Sequence, residues 1–242
     1  MSTPTTTTST TETDTDSEPK VLETAMLSSA LSLLLFVIGT LIFLIAKSTM
    51  RNTSPITIST MYFLGLIITQ GYVNLRQIDN KCGKPDYYLA TKMTILPWVF
   101  IFGLLFICLS AFPAWKRPFS NSFGYLVVKI LNINGILTGK NGIIKQNEKG
   151  GNPEAYTAIK NLYNDPSLLV NELNPENFDA VIYNMREIFK APDSDETKKN
   201  IGKLKDMVNI KDAVSETIWY GLTGLVAISA SQTLLADTIC PS

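Results

Sequence analysis

The sequence contains no histidine. That excludes Ser-His-Asp and Cys-His catalysis and every histidine-ligated metal site. Cysteine is scarce as well: only Cys82, Cys108 and Cys240, too few for a four-cysteine zinc site. Charge is sparse, at 17% of 242 residues, against about 25% in ordinary soluble domains. The 21 basic and 21 acidic residues cancel, so no global basic field points to nucleic acid. No stretch alternates apolar and polar residues as a half-buried strand would.

What the chain has is apolar residues, 45% of the total, gathered in blocks. The blocks predict an all-α fold, a multi-pass transmembrane helical bundle of four spans with a small helical soluble domain. Residues 26–46, "MLSSALSLLLFVIGTLIFLIA", carry no charge and reach about 30 Å as a helix. Residues 56–75 form a second block in which Gln70 and Asn74 are expected to face other helices, where an amide finds a partner. Residues 93–113 form a third, with Pro97 expected in its first turns and Trp98 and Trp115 near its ends as an aromatic belt. Residues 217–236, "TIWYGLTGLVAISASQTLLA", form the fourth, with Trp219 and Tyr220 read as interfacial. Gly221, Gly224, Ala227 and Ser231 recur there at steps of three and four, a small-residue stripe for close helix packing.

Around these blocks the chain divides into an acidic, Thr-rich tail (1–22), three spans (23–121), a linking segment (122–138), a soluble domain (139–215), and the last span with its tail (216–242). The first tail has no aromatic residue and is read as disordered. It lacks a basic n-region, so the first span is expected to act as an uncleaved signal-anchor. In 122–138, Phe123, Leu126, Val127, Ile130 and Leu131 share a helical face, but Lys129, Asn132 and Asn134 make crossing costly. It is read as an amphipathic helix lying in the interface, with a fifth span or a re-entrant hairpin as the rival.

In the soluble domain, "NPE" at 152–154 and 174–176 and "DPS" at 165–167 mark helix starts, each a capping residue followed by proline. Phe178, Val181, Ile182, Met185, Ile188 and Phe189 give one apolar stripe. Catalysis needs a convergent set of groups, and none is visible. Glu154, Asp165, Glu172, Glu176, Asp179 and Glu187 fall as solvated helix faces and caps. Gly139, Gly142, Gly150 and Gly151 do not form a phosphate loop. The four spans hold no charged residue. The chain is therefore expected to be no enzyme, with no cofactor and no metal. The sequon at Asn52 is discounted as too close to the bilayer.

With four spans, the basic residues Lys47 and Arg51, Lys116 and Arg117, and Lys198 to Lys211 share one side, which the positive-inside rule makes cytosolic. The loop 76–92, with Arg76, Lys81, Lys84 and Lys92, counts against this orientation. Cys82 and Cys240 then lie together on the other side, where a disulfide worth about 4 kcal/mol or more in the chain-entropy model is open to them. Two unrelated thiols is the alternative. Cys108 falls inside a span and behaves as a small apolar residue.

The string "IWYGLTGLVAISASQTLLADTIC", with "IDNKCG" and "WKRPFSNSFGYL", resembles multi-pass membrane proteins of nucleocytoplasmic large DNA viruses that infect algae and amoebae. The resemblance covers about a third of the chain. It implies a structural protein of the membrane beneath an icosahedral capsid. It would make Cys82 and Cys240 structural partners and residues 139–215 a surface for capsid or core proteins. The expected partners are thus the lipid bilayer, other membrane or capsid proteins and a second copy of the chain. A transporter or channel subunit is the alternative.

Overall fold

The computed structural model describes residues 18–50, 53–145 and 153–240. Most of the Thr-rich tail, the sequon asparagine Asn52 and the glycines Gly150 and Gly151 lie outside the described residues.

The first three long helices are α1 (Glu18–Thr49), α2 (Pro55–Cys82) and α3 (Tyr87–Ala111). Short helices follow: α4 (Tyr125–Ile130), α5 (Ile133–Thr138), α6 (Pro153–Asn164), α7 (Ser167–Glu172) and α8 (Phe178–Asn184). The chain closes with α9 (Asp195–Ala236). Four of these helices, α1, α2, α3 and α9, are long and apolar enough to cross a membrane. Among the described residues there is no strand, only an isolated antiparallel bridge between Ile144 and Phe189. The protein is an all-helical membrane protein.

Helix limits differ from the hydropathy blocks because caps, not apolarity, end helices. The second block stops at Leu75, yet α2 continues through Arg76 and Lys81 to Cys82. It stops there because Gly83 takes the left-handed conformation (φ 69°) and returns its N–H to Asp79 O at 2.8 Å. The third helix begins at Tyr87 because Asp86 accepts the Leu89 N–H at 2.9 Å. Pro97 therefore sits deep inside α3, not in its first turns, and a π-helical stretch, Trp98–Gly103, follows it. The expected fourth span is only the second half of α9. Ser194 accepts the Thr197 N–H, and 42 residues then run unbroken for about 63 Å.

The linking segment is not one amphipathic helix. A second π-helical turn, Ser120–Gly124, leads into α4. The chain breaks at Asn132, which takes φ 66° and caps α5 with its own side chain. Val128, Ile133 and Leu137 turn into the soluble core, while Phe123, Leu126, Ile130 and Leu131 stay exposed.

In the bundle, α1 and α3 each pack between α2 and α9, closing a ring of four. Its centre is aromatic: Phe36, Phe43, Phe102, Trp98 and Tyr220 are buried, with Phe102 and Tyr220 stacked at 5.0 Å. Trp98 and Tyr220 are thus core residues, not belt residues. Both project inward, where large rings fill the space between four helix axes. Trp115 and Trp219 remain toward the surface, joined by a hydrogen bond from Trp219 Nε1 to Trp115 O at 3.0 Å. Leu34, Leu41, Ile42, Ile68, Phe100 and Leu104 point outward, as lipid-facing residues do.

The soluble domain packs α4 to α8 around the first half of α9, with Val170, Leu173, Phe178, Phe189, Leu204 and Val208 at its centre. The Phe178–Phe189 stripe is carried by α8 and a short 3-10 turn, Arg186–Ile188, not by one helix. The second "NPE" does not start a helix at Pro175: the helix begins at Phe178 with Asn177 before it, and Asn174 and Asn177 instead close the preceding turn, Asn177 N donating to Asn174 Oδ1 and Asn174 N to Asn177 Oδ1, both at 2.8 Å.

Candidate functional site: a buried ion cluster at the membrane face

Charged residues at the ends of two spans and in the middle of α9 meet where the bundle joins the soluble domain. Asp212 and Glu216 stand one turn apart on α9 and face the same way. Lys47, in the last turn of α1, places Nζ 2.7 Å from Glu216 Oε2. Ser59 of α2 donates to Glu216 Oε1 at 2.6 Å and accepts from Lys47 at 3.2 Å. Lys116, just beyond α3, places Nζ 2.7 Å from Asp212 Oδ2 and 4.0 Å from Glu216 Oε2. The Ser215 hydroxyl donates to Lys116 O. All four charged side chains are nearly covered; the Lys47 and Glu216 side chains keep 9% and 7% of their exposure.

Burial opposes the charge on Lys116, but the Asp212, Glu216 and Glu176 carboxylates outweigh it and hold its ammonium above the ordinary lysine pKa. A cleft of about 190 Å³ opens on this cluster, lined by Lys47, Ser59, Lys116, Glu176, Glu216 and Tyr220. A second, of about 220 Å³, lies on the other side of Lys116. Chemically, the cluster ties together the ends of three spans and the helix that enters the soluble core.

Sequence reasoning missed this cluster. It finds no convergent ionisable set, and the structure overturns that: Lys47 stands one residue past the first apolar block, Glu216 one residue before the last, and four charges converge. The signal was present as an i, i+4 acidic pair feeding a span, opposed by a lysine at each of two other span ends. What was missing is that α9 does not begin at the membrane.

Deeper in the bundle the polar residues join up. Gln70 donates to Ser32 O at 3.0 Å and accepts from Ser32 Oγ at 2.5 Å. Asn74 Nδ2 donates to Thr94 Oγ1 at 2.8 Å and to Ser231 Oγ at 2.9 Å. Ser231 Oγ in turn donates to Met93 O at 2.9 Å. That carbonyl lies four residues before Pro97, which has no N–H to give it, so Ser231 satisfies the acceptor the proline leaves open. Ser29 donates to Gln232 at 3.1 Å.

Of the small-residue stripe, Gly224, Ala227 and Ser231 are buried in the bundle. A Cβ built on Gly224 would stand 2.2 Å from Phe36 Cζ, so only glycine lets this ring lie against α9. Gly221 differs: a Cβ there meets nothing within 4 Å. At the far end, Cys82 and Cys240 sulfurs lie 2.01 Å apart, at disulfide distance. Lys81 donates to Leu235 O and Ala236 O at 2.9 and 2.8 Å, capping the end of α9. Among the described residues, no three metal-ligating side chains gather in one place.

Fold and junction define the class: a polytopic α-helical membrane protein whose last span extends as one rod into a helical domain. Comparison with known protein families, curated proteins and solved structures finds no match.

Proposed function

We propose that the chain is an integral membrane structural protein that anchors its helical domain, residues 139–215 with the α4 and α5 helices that share its core, on the cytosolic face and presents it to partner proteins. The observation that carries this reading is α9, which belongs to the soluble core at Leu204 and Val208 and to the bundle at Tyr220 and Ala227. A domain held on an unbroken helix, and tied to two other spans by buried ion pairs, is fixed in place relative to the bilayer. That is what a scaffold requires. Both termini lie on the non-cytosolic side, where an oxidising lumen favours the Cys82–Cys240 pair. The resemblance to large DNA virus membrane proteins makes the host endoplasmic reticulum and the virion inner membrane the sites of residence, and capsid or core proteins the partners. The activity is assembly, not catalysis.

Single cysteines in 139–215 and at Cys240, labelled by an impermeant maleimide on sealed vesicles, test the orientation. The domain is expected to label from the cytosolic side and the reduced tail only from the other; labelling of both from one face sinks the reading. A scaffold also co-purifies with the assembled particle at stoichiometric amounts.

The 190 Å³ cleft with charged groups of both signs favours transport as a second reading. Solute or ion flux into liposomes holding the pure protein would select it.

A further inference from the structure

The second cleft, about 220 Å³, is formed where the chain leaves α3 and runs beneath the loop between α7 and α8. It sits within two turns of the end of the third span, beside the half-exposed rings of Phe112 and Trp115. That is headgroup depth for a bundle of this length.

Its lining is unusual in what is left unpaired. Lys211, 1% exposed, donates to Val170 O at 2.5 Å and to Asn121 Oδ1 at 3.1 Å; among the described residues no carboxylate is within ion-pair distance of it. Asp212 and Glu172 attract it only from farther off, and Asp212 is already engaged by Lys116. Arg117 lines the same cleft close enough to repel Lys211 and likewise forms no ion pair among the described residues. Two neighbouring cations without an intervening anion, one of them buried, make a seat for one. In the same lining, Asn171 Oδ1 is a buried acceptor with no donor, and Glu176 adds a carboxylate without a hydrogen-bonded partner among the described residues. The cleft thus asks for a small molecule that carries both an anion and hydrogen-bond donors.

We propose that it binds the headgroup of a phospholipid whose small substituent carries donors, ethanolamine or glycerol. The phosphodiester lies between Arg117 and Lys211, and the amine or hydroxyls reach Asn171 Oδ1 and Glu176. Choline, with no N–H or O–H to give and three methyl groups to place, is excluded by the same geometry. The inference needs only that the spans cross a bilayer, not the structural role proposed above, and its test reads the cleft alone.

The full-length protein in detergent is titrated with dihexanoyl phosphatidylethanolamine, phosphatidylglycerol or phosphatidylcholine below their micelle concentrations, with the melting midpoint as readout. The first two are expected to raise the midpoint saturably, the third not at all, and inorganic phosphate at the same concentration not at all. Arg117→Gln, at an exposed and unpaired side chain, is expected to keep the lipid-free midpoint and raise the half-saturating concentration about tenfold. An equal response to phosphatidylcholine, or an Arg117→Gln titration that overlays the wild type, overturns the proposal. Protection by inorganic phosphate alone would assign the cleft to free phosphate and overturn the lipid.

Discussion

Glu216 Oε2 lies 2.7 Å from Lys47 Nζ although 169 residues separate them. The pair joins the end of the first span to the middle of the last helix, and Lys116 approaches the same oxygen from the third. Removing one member of a buried pair leaves the others as uncompensated charges, which costs about 3–5 kcal/mol. Glu216→Ala is expected to lower stability in detergent by that order, measured by denaturant titration of helicity. Lys47→Met with Glu216→Leu together should recover much of it, since the stranded charges go with the pair. A double variant as unstable as Glu216→Ala would show that the pair is not what matters there.

Lys116 sets a dependence on pH. Its folded pKa is raised above the unfolded value of about 10.5, so its contribution is complete below that pH and is lost as pH climbs through the folded value. The gap in melting midpoint between wild type and Lys116→Gln should stay constant from about pH 7 to 9 and shrink above about 10.5. A gap that widens with alkali would contradict this sign.

Ser231 and Pro97 are coupled through Met93 O. Ser231→Ala orphans that carbonyl and should cost about 1 kcal/mol. In a Pro97→Ala background the helix supplies its own N–H to Met93 O, so the same substitution should cost less, leaving only the lost bond from Asn74 Nδ2. A double-mutant cycle on unfolding midpoints measures the coupling; strict additivity would refute it.

Gly224 is a packing position with one identifiable neighbour. Gly224→Ala drives a methyl into the Phe36 ring and should destabilise by about 1–3 kcal/mol. Phe36→Leu should relieve it, whereas Gly221→Ala, facing open space, should be neutral or slightly favourable. Equal effects at the two glycines would argue against this contact.

The Cys82–Cys240 link closes a separation of 158 residues, worth at most about 5 kcal/mol by chain entropy. Spans that stay inserted on unfolding confine the chain already, so the measured loss should be smaller. Cys82→Ser is expected to lower the melting midpoint and to match reduced wild type. Lys81 should keep the end of α9 capped in both, visible as unchanged helicity below the transition.

Much of the fold is legible in the chain itself. Apolar blocks longer than a bilayer is thick leave few alternatives to helices, because hydrocarbon offers backbone groups no other partner. The positions of Gln70, Asn74 and Gln232 follow from the same rule: an amide in a span must find a partner on another helix, and each of these does. The stops at Gly83, Asp86 and Ser194 lie outside the apolar blocks, and a reading by hydropathy misses them because apolarity does not mark a cap. Harder to read is anything that depends on where a helix starts relative to the membrane. Trp98 looks interfacial only if α3 begins at Met93, and Glu216 looks solvent-exposed only if α9 begins beside it. Leu126 and Val128 look alike in the sequence, yet one is exposed and the other buried.

By itself, then, the sequence determined that four helices are long and apolar enough to cross a membrane and that their polar residues pair inward, because these follow from local chemistry and one solvent boundary. Only the tertiary structure decided that charges from α1, the segment after α3 and α9 meet in one buried cluster, that Ser231 answers Pro97, and that Lys211 and Arg117 share a cleft. Those relations join residues roughly 90 to 170 positions apart, and such contacts are set by how helices pack, which no local pattern encodes.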